Sequence, residues 1–436
     1  MKTFNTFALF LISTSALAAD SQFEKLWSQV SENALGLKAS KESVSAAQIN
    51  SERNSKHWYP TIYAQGQSYL TDDPGANLFG IMSQRKIEQL DFTPSKLNEP
   101  GTNHFTKGAV GVNFSLYEGG MKDAISKATK FQYESKKFED KKNNLEFYSE
   151  VSKNYFSLYA LSNQKTELQK VSSTIESILS RYQIGNKSNP VGYSGLLGLK
   201  SLKNRLTAIN DENNAKVKAY TNALTELSSN EQKLKFEQNS NIVSLLNDYL
   251  PTTQSEYKPT SKIKSFYANA EAANEVVGAE KSRNLPRVGV FAESYAFNGS
   301  RDTATGFSTG IYLNWNLFSG NDIGASDEAI HNSHAAKYYA EAMSQKEKIE
   351  FDAQSTMEET LLKTLVTLDD SQKLLDEQMN VANNLFKNGM ISALQLVEVL
   401  SRRVDLINSK TEVELNLVEA KSKKLLLTNN VPSILK

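Results

Sequence analysis

Two short stretches of the chain alternate between apolar and polar positions, which is the period of a β-strand. In residues 110–116, valine, phenylalanine and leucine alternate with glycine, asparagine and serine. In residues 311–317, isoleucine, leucine and tryptophan alternate with tyrosine and asparagine. Residues 62–70 and 288–297 alternate less cleanly, because tyrosines and Phe291 fall on the otherwise polar face. The pattern predicts four strands, each with one apolar face.

A long helical pattern follows each predicted pair of strands. Gly120 to Gln183 and Asn321 to Lys387 contain no proline and little glycine, and are rich in strong helix formers. About 65 residues at 1.5 Å per residue make a helix on the order of 100 Å long, which needs a partner along its length. The segments 191–228 and 391–427 have helical apolar spacing. Each is therefore predicted to return as the second arm of a helical hairpin.

The plan of helix, two strands and helical hairpin occurs twice. Three landmarks recur in the same order in both halves, and the first copy carries about 25 extra residues in the stretch 71–104. The landmarks are Pro60 and Pro286, Asn-x-x-Leu-(Tyr/Phe)-x-Gly at 113–119 and 314–320, and (Tyr/Phe)-x-x-Gly-x-x-Ser at 182–188 and 386–392.

Export is predicted from the first residues, where a short basic start precedes an apolar stretch and Ala-Leu-Ala at 16–18. Pro251 and Pro259 break the helical pattern between the two repeats. The expected organisation is a signal peptide at 1–18, a first repeat at 19–228, an equatorial insert at 229–262, a second repeat at 263–430 and a C-terminal tail at 431–436.

Any membrane role must come from the strands, because no segment after the predicted signal peptide has the 18 consecutive apolar residues of a transmembrane helix. A strand of about 9–11 residues suits a tilted bilayer crossing, but four strands leave two edges whose backbone groups hydrocarbon cannot satisfy. The chain must therefore associate. Three copies give twelve strands, an even number within the range of closed barrels. The expected fold class is mainly α with a transmembrane β part, in a homotrimer.

Composition removes several other functions. The chain has 49 basic and 49 acidic residues, so no electrostatic attraction to nucleic acid is implied. It has no cysteine, which excludes disulfides, thiolate metal sites and a lipidated N-terminal cysteine. His331 and His334 stand three residues apart on a predicted helix, but no further ligands accompany them. With no catalytic motif, the sequence predicts no enzyme, no metal site and no cofactor.

The doubled plan, with its Asn-x-x-Leu-(Tyr/Phe)-x-Gly and (Tyr/Phe)-x-x-Gly-x-x-Ser motifs, resembles the TolC-like outer-membrane efflux family. The extended first loop, with Asp-Phe-x-Pro at 91–94 and Leu-Asn-x-Pro-Gly at 97–101, is similar to that of a subset of the family. The resemblance covers residues 21–430. It implies a trimer with a twelve-stranded barrel in the outer membrane of a Gram-negative bacterium, continued by a periplasmic α-helical barrel. The insert and the C-terminal tail would form an equatorial region around it.

The resemblance also implies partners: a periplasmic adaptor protein and an inner-membrane pump of the RND or ABC type. The turns that join the paired helices would meet the adaptor at the periplasmic tips. They map onto Gly185 and Ser188 in the first repeat and onto Gly389 and Ser392 in the second. These glycines equally fit plain helix stops, and these serines equally fit N-caps of the next helix.

The family often narrows its entrance with acidic residues beyond the tip glycine, where a threefold ring would favour cations. The matching positions in the second repeat are Gln395 and Glu398, whereas the first repeat has Val191. This departure weakens the case for a cation filter, and Glu398 equally fits a solvated helix carboxylate. Phe386, three residues before the tip glycine, is expected to help close the resting aperture as an apolar constriction.

The sequence predicts a passive outer-membrane conduit for small molecules. Two alternatives remain open at this stage: the outlet of a type I protein-secretion system, and a non-conducting periplasmic coiled-coil spacer or trimeric adhesin. The strand pair inside each repeat argues against an adhesin, which would carry its membrane strands at the C-terminus. Trimer migration from outer-membrane fractions together with pore conductance would separate a conduit from a spacer.

Overall fold

In the computed structural model, long helices dominate the chain and four strands interrupt them. The structure describes residues 21–181, 190–228, 241–252, 254 and 256–435. The α-helices within these residues are α1 (Ser21–Asn33), α2 (Leu35–Ser55), α3 (Pro74–Ser83), α4 (Pro94–Asn98), α5 (Met121–Arg181), α6 (Pro190–Ser228), α7 (Ile242–Tyr249), α8 (Ser261–Lys281), α9 (Ala325–Lys387) and α10 (Ala393–Leu426). The strands are β1 (Thr61–Thr71), β2 (Asn103–Glu118), β3 (Arg287–Gly299) and β4 (Thr303–Asn314).

The element order repeats as the sequence predicts. A helix, two strands and two long helices occur first as α2, β1, β2, α5 and α6, and again as α8, β3, β4, α9 and α10. The predicted signal peptide, at 1–18, lies outside the described residues. No helix in the described part of the chain combines the length and the apolarity needed to cross a membrane.

Contacts divide the chain into two compact units. The helical unit consists of Met1–Ser43, Lys137–Lys264 and Glu341–Lys436. The strand unit consists of Val44–Lys136 and Ser265–Ala340.

Two clusters of buried side chains hold the helical unit together. In one, Phe23 and Trp27 of α1 pack on Tyr148 and Phe156 of α5, and α7 adds Leu246. In the other, apolar residues three or four positions apart on α5, α6 and α10 meet along a seam that Ala382 of α9 joins. The seam residues are Leu168, Val171, Ile175, Leu199, Leu202, Leu206, Leu396, Leu400, Val404 and Ile407. The predicted hairpin arms therefore pack through a narrow apolar seam.

The strand unit contains one antiparallel sheet in the order β1-β2-β3-β4. The register pairs Tyr63 with Gly111, Gly111 with Glu293, and Glu293 with Ser308, so these four residues form one rung of the sheet. Among the residues that the structure describes, β1 and β4 each pair with one strand only, which leaves two edges of the sheet unpaired.

The strand β4 is shorter than predicted. The alternation continues to Leu317, but the strand ends at Asn314. Asn314 pairs with Arg287, the first residue of β3, so β3 offers no further residue to pair with Trp315 and those after it. Trp315 instead donates its indole N–H to the carbonyl of Asn284, at 3.0 Å.

The long loop between β1 and β2 folds into helices that the sequence pattern does not reveal. Asp73 caps α3 by accepting the N–H of Ala76 at 2.6 Å, and a proline occupies the first turn of α3. A 3-10 helix (Gln89–Phe92) and α4 follow. The extra residues of the first repeat are therefore ordered structure attached to the sheet.

Candidate functional site

The sheet is the candidate functional site, because its two faces differ in chemistry. Side chains alternate between faces along each strand. The apolar face carries large side chains that are exposed, such as Ile62 (75% exposed) and Ile311 (76% exposed). Other exposed side chains of this face are Leu70, Val110, Phe307 and Leu313. A row of exposed aliphatic side chains on one sheet face suits contact with hydrocarbon rather than water.

The opposite, polar face holds the ionised groups of the sheet centre. Glu293 of β3 accepts hydrogen bonds from Lys107 Nζ at 3.1 Å, from the Tyr63 hydroxyl at 2.9 Å and from Gln65 Nε2 at 3.4 Å. These donors come from β1 and β2, so one carboxylate ties three strands together. Lys107 Nζ also lies 5.1 Å from the centroid of the Tyr295 ring. The polar face thus carries a self-neutralised ion pair surrounded by aromatic rings.

The loop between β1 and β2 is fastened to the β3–β4 turn. Arg301 forms a two-pronged ion pair with Asp91, which is buried, with one bond of 2.6 Å between Nη1 and Oδ2. The guanidinium of Arg301 is the main cause that holds the pKa of Asp91 below its usual value. Gln84 accepts the backbone N–H groups of Arg301 and Asp302 at 2.8 and 3.0 Å. Gly80 of α3 lies against the ring of Phe105, which belongs to the polar face.

The predicted tip of the second repeat is built as a helix stop and a helix start. Gly389 has φ +72°, and its N–H donates to the carbonyl of Phe386 at 3.0 Å while that of Met390 donates to Leu385 at 2.8 Å. This pair of bonds is a Schellman motif, which ends α9. Ser392 then begins α10, which confirms its reading as an N-cap. Whether these two residues also meet an adaptor stays a prediction.

The aperture candidates of the second repeat have local partners. Gln395 and Ser392 form a capping box, in which Gln395 Oε1 accepts the Ser392 N–H at 2.8 Å. Glu398 is exposed and pairs with Arg402 one helical turn away, at 2.5 Å. Phe386 is half-buried and packs against the seam of the helical unit. Their roles in an aperture stay predictions.

The matching tip of the first repeat, with Gly185 and Ser188, lies outside the described residues. Val191 lies in the first turn of α6 and is exposed. In the described part of the chain, no group of three or more His, Asp or Glu residues is arranged to hold a metal ion.

A buried ionic cluster in the helical unit is invisible in the sequence pattern. Glu358 of α9 accepts bonds from Lys421 and Lys424 of α10, each at 2.8 Å, and from the Thr252 hydroxyl at 2.6 Å. Lys421 Nζ also donates to Asn247 Oδ1 of α7 at 2.9 Å. Burial by itself raises the pKa of Glu358, but the hydrogen bonds from both lysines outweigh it and lower the pKa. The cluster fixes the insert between the repeats to the two long helices.

A second carboxylate, eleven positions earlier on α9, holds the end of the same insert. Glu347 accepts hydrogen bonds from the Thr260 hydroxyl at 2.9 Å, from its N–H at 3.3 Å and from the Tyr257 hydroxyl at 3.1 Å. Burial raises the pKa of Glu347, and these hydrogen bonds only partly offset it. The sequence pattern could not predict this site, because the hydrogen-bond donors lie about 90 residues away from Glu347.

Solved structures of channels match nearly the whole chain. The Campylobacter jejuni CmeC outer membrane channel matches with a TM-score of 0.73 and 13% identity, over 95% of this chain and 87% of that chain. The open state of the Neisseria gonorrhoeae MtrE outer membrane channel matches with 0.72 and 15%, over 94% and 89%. CusC, in structures that concern folding and transmembrane channel formation, matches with 0.72 and 14%, over 92% of each chain.

These matches show the fold. The chain has the fold of TolC-like outer-membrane channels: mainly α-helical, with a four-stranded antiparallel sheet and two structural repeats. The resemblance drawn from the sequence motifs is confirmed to that extent. No protein-family model matches the sequence, and no curated protein matches it.

Proposed function

We propose that the chain is the outer-membrane channel subunit of a tripartite efflux system, a passive conduit for small molecules. The observation that carries the proposal is the four-stranded sheet, which has an exposed aliphatic face, a polar face and two unpaired edges. The likeness of the fold to outer membrane channels supports the same function.

Threefold assembly follows from the unpaired edges of β1 and β4. In hydrocarbon an unpaired backbone group costs several kcal/mol, so an open sheet cannot remain in a bilayer. Pairing β1 of one copy with β4 of the next satisfies both edges, and three copies close a barrel of twelve strands. The apolar face then meets lipid, and the polar face with Glu293 and Lys107 lines the lumen.

The helices supply the periplasmic part of the proposed conduit. α5 and α9 have 61 and 63 residues, and narrow seams hold them in hairpins. Their remaining surface is mixed, with charged side chains beside exposed apolar ones such as Ile349, Val366 and Leu374 of α9. Helices held by narrow seams suit the wall of a tube, because such a wall meets water on its inner and its outer surface. A periplasmic adaptor would meet the hairpin tips, Gly389 and Ser392 in the second repeat, and an inner-membrane pump would drive the cargo. The protein itself performs no chemistry.

Two substitutions on one strand test the proposed membrane orientation. Phe307 lies on the apolar face near the middle of β4, and Ser308 lies on the polar face. A lysine on a lipid-facing position costs about 2–4 kcal/mol near the bilayer midplane, whereas a lysine in a watery lumen costs little. We expect Phe307→Lys to abolish the trimer in outer-membrane fractions and Ser308→Lys to assemble and conduct. Equal assembly of both variants would contradict the orientation.

The efflux role has its own test. Deleting the gene is expected to raise sensitivity to toxic small molecules and to leave the secreted proteome unchanged, and the plasmid-borne gene is expected to restore resistance. Loss of a secreted protein with unchanged sensitivity would contradict efflux and favour the secretion outlet.

A further inference from the structure

The polar face of the sheet carries an aromatic residue on each of six consecutive rungs. Same-face rungs are two residues apart along a strand, about 7 Å. None of the six rungs lacks a ring, although the rings come from different strands. From one end of the sheet to the other they are Tyr312, Phe291, Tyr63, Tyr295, Phe297, and Phe105 with Tyr69. Phe105 (0% exposed) and Phe297 (8% exposed) are buried, so the name aromatic ladder is given to the four consecutive rings that have an accessible face: Tyr312, Phe291, Tyr63 and Tyr295.

All four rings of the ladder lie directly over a glycine in the neighbouring strand. A Cβ on any of these glycines would meet ring atoms at 2.3–2.9 Å, closer than side chains approach. Each ring therefore lies flat on the backbone instead of projecting away from the sheet. The pairs are Tyr63 over Gly111, Phe291 over Gly310, Tyr295 over Gly306 and Tyr312 over Gly289.

One cation of the chain already uses this surface. Lys107 Nζ lies 5.1 Å from the centroid of the Tyr295 ring, within the range of a cation–π contact. Its charge is balanced by Glu293, 3.1 Å away. A flat ring with one face on the backbone presents its other, electron-rich face outward, and that face attracts cations and stacks on aromatic groups.

We propose that the aromatic ladder is a contact surface for organic cations that carry an aromatic ring. The proposal rests on the proposed function, because the ladder meets cargo only if the polar face lines a lumen. Flat rings leave the lumen wide, and a half-exposed ring binds weakly. Weak sites in series are what conduction requires, since cargo must bind well enough to enter and loosely enough to leave.

The ladder is tested by the duration of current block in planar bilayers that contain the purified trimer. The probes are tetraphenylphosphonium, an aromatic cation, and tetrabutylammonium, an aliphatic cation of similar size. Both probes carry the same charge, so their difference measures contact between aromatic rings, and we expect the aromatic probe to block roughly two- to tenfold longer, the factor that one aromatic pair supplies. The double variant Phe291→Leu/Tyr312→Leu, which keeps Tyr63 and Tyr295, is expected to reduce this difference.

A matched control comes from the other face of the same sheet. Phe307 of β4 is exposed on the apolar face, so Phe307→Leu removes one ring without touching the ladder. This variant is expected to keep the difference between the probes. Equal block durations in the unaltered protein, or an undiminished difference in the double variant, would overturn the ladder.

Glycine substitutions give a second, independent readout. Gly306→Ala and Gly310→Ala lift rings into the lumen, so the single-channel conductance in plain salt is expected to fall. Gly108→Ala is the control, because no atom lies within 4 Å of the added methyl group. Unchanged conductance in both ladder variants would count against flat lumenal rings. If neither the unaltered trimer nor its Phe386→Ala variant conducts ions, the conduit itself is wrong, whereas normal conductance without probe discrimination removes the ladder alone.

Discussion

Replacing Glu358 by glutamine is expected to destabilise the helical unit severely. Glu358 is the carboxylate that Lys421 and Lys424 share, and all three side chains are less than 10% exposed. The substitution keeps the shape of the side chain but leaves two buried ammonium groups without a counter-charge. Removing one partner from a buried ion pair costs about 3–5 kcal/mol, and we expect this range for Glu358→Gln.

Two comparison variants separate charge loss from simple bond loss. Lys424→Met leaves Lys421 and Glu358 as a balanced pair, so its cost is expected to be about 1.5–3 kcal/mol, the range of one charged hydrogen bond. Adding Lys424→Met to Glu358→Gln removes one of the stranded charges. The double variant is therefore expected to be more stable than the sum of the two single effects, by at least about 1 kcal/mol.

The assay is urea unfolding of the purified full chain in detergent, followed by far-UV circular dichroism. Glu359→Gln is the matched control, because Glu359 is the next residue on α9 and its pair with Lys363 is exposed. It is expected to leave the midpoint unchanged. If Glu358→Gln shifts the midpoint no more than Glu359→Gln, or if the effects of Glu358→Gln and Lys424→Met simply add, the reasoning about the buried cluster is refuted.

Three further outcomes can be checked. Burial raises the pKa of Glu414 to about 7, so the folded state holds a proton that the unfolded state releases near pH 4.5. The free energy of unfolding therefore falls as the pH rises between these values. Glu414→Gln should flatten this pH dependence of the urea midpoint and should be more stable than the unaltered protein at pH 8, by about 3 kcal/mol at most. Gly389→Ala should cost about 1–2 kcal/mol in the same assay, because φ is +72°. Arg301→Met removes the ion pair that fastens the β1–β2 loop to the β3–β4 turn, so faster protease cleavage within residues 72–102 is expected on intact cells. Unchanged cleavage would contradict this role of the ion pair.

The long helices and two of the strands were predictable because their periodicity is local. The absence of proline sets the extent of α5 and α9, and strict alternation marks β2 and β4. The alternation is irregular in β1 and β3 for a physical reason that the sequence of a single strand does not show. Tyr63 and Phe291 break the alternation because each lies over a glycine of the neighbouring strand. These aromatic residues on the polar face can be explained only once the register of the strands is known.

The remaining features depend on contacts between distant residues. The sequence places Glu358 on a charge-rich helix, where a carboxylate is usually solvated, but Lys421 and Thr252 bury it from 63 and 106 positions away. The fastening of the β1–β2 loop by Arg301 is equally non-local. The tip of the second repeat was predictable because Gly389 and the capping serine act through neighbouring backbone.

The central claim is that the apolar face of the sheet meets hydrocarbon and the polar face meets water. Because the chain has no cysteine, single cysteines can be placed and labelled without a background. In proteoliposomes, cysteines at Ile62, Val110 and Ile311 are expected to resist a membrane-impermeant maleimide, whereas cysteines at Gln65 and Ser308 should react. Rapid labelling at all five positions, or protection at Gln65 and Ser308 with reaction at the other three, would contradict the account.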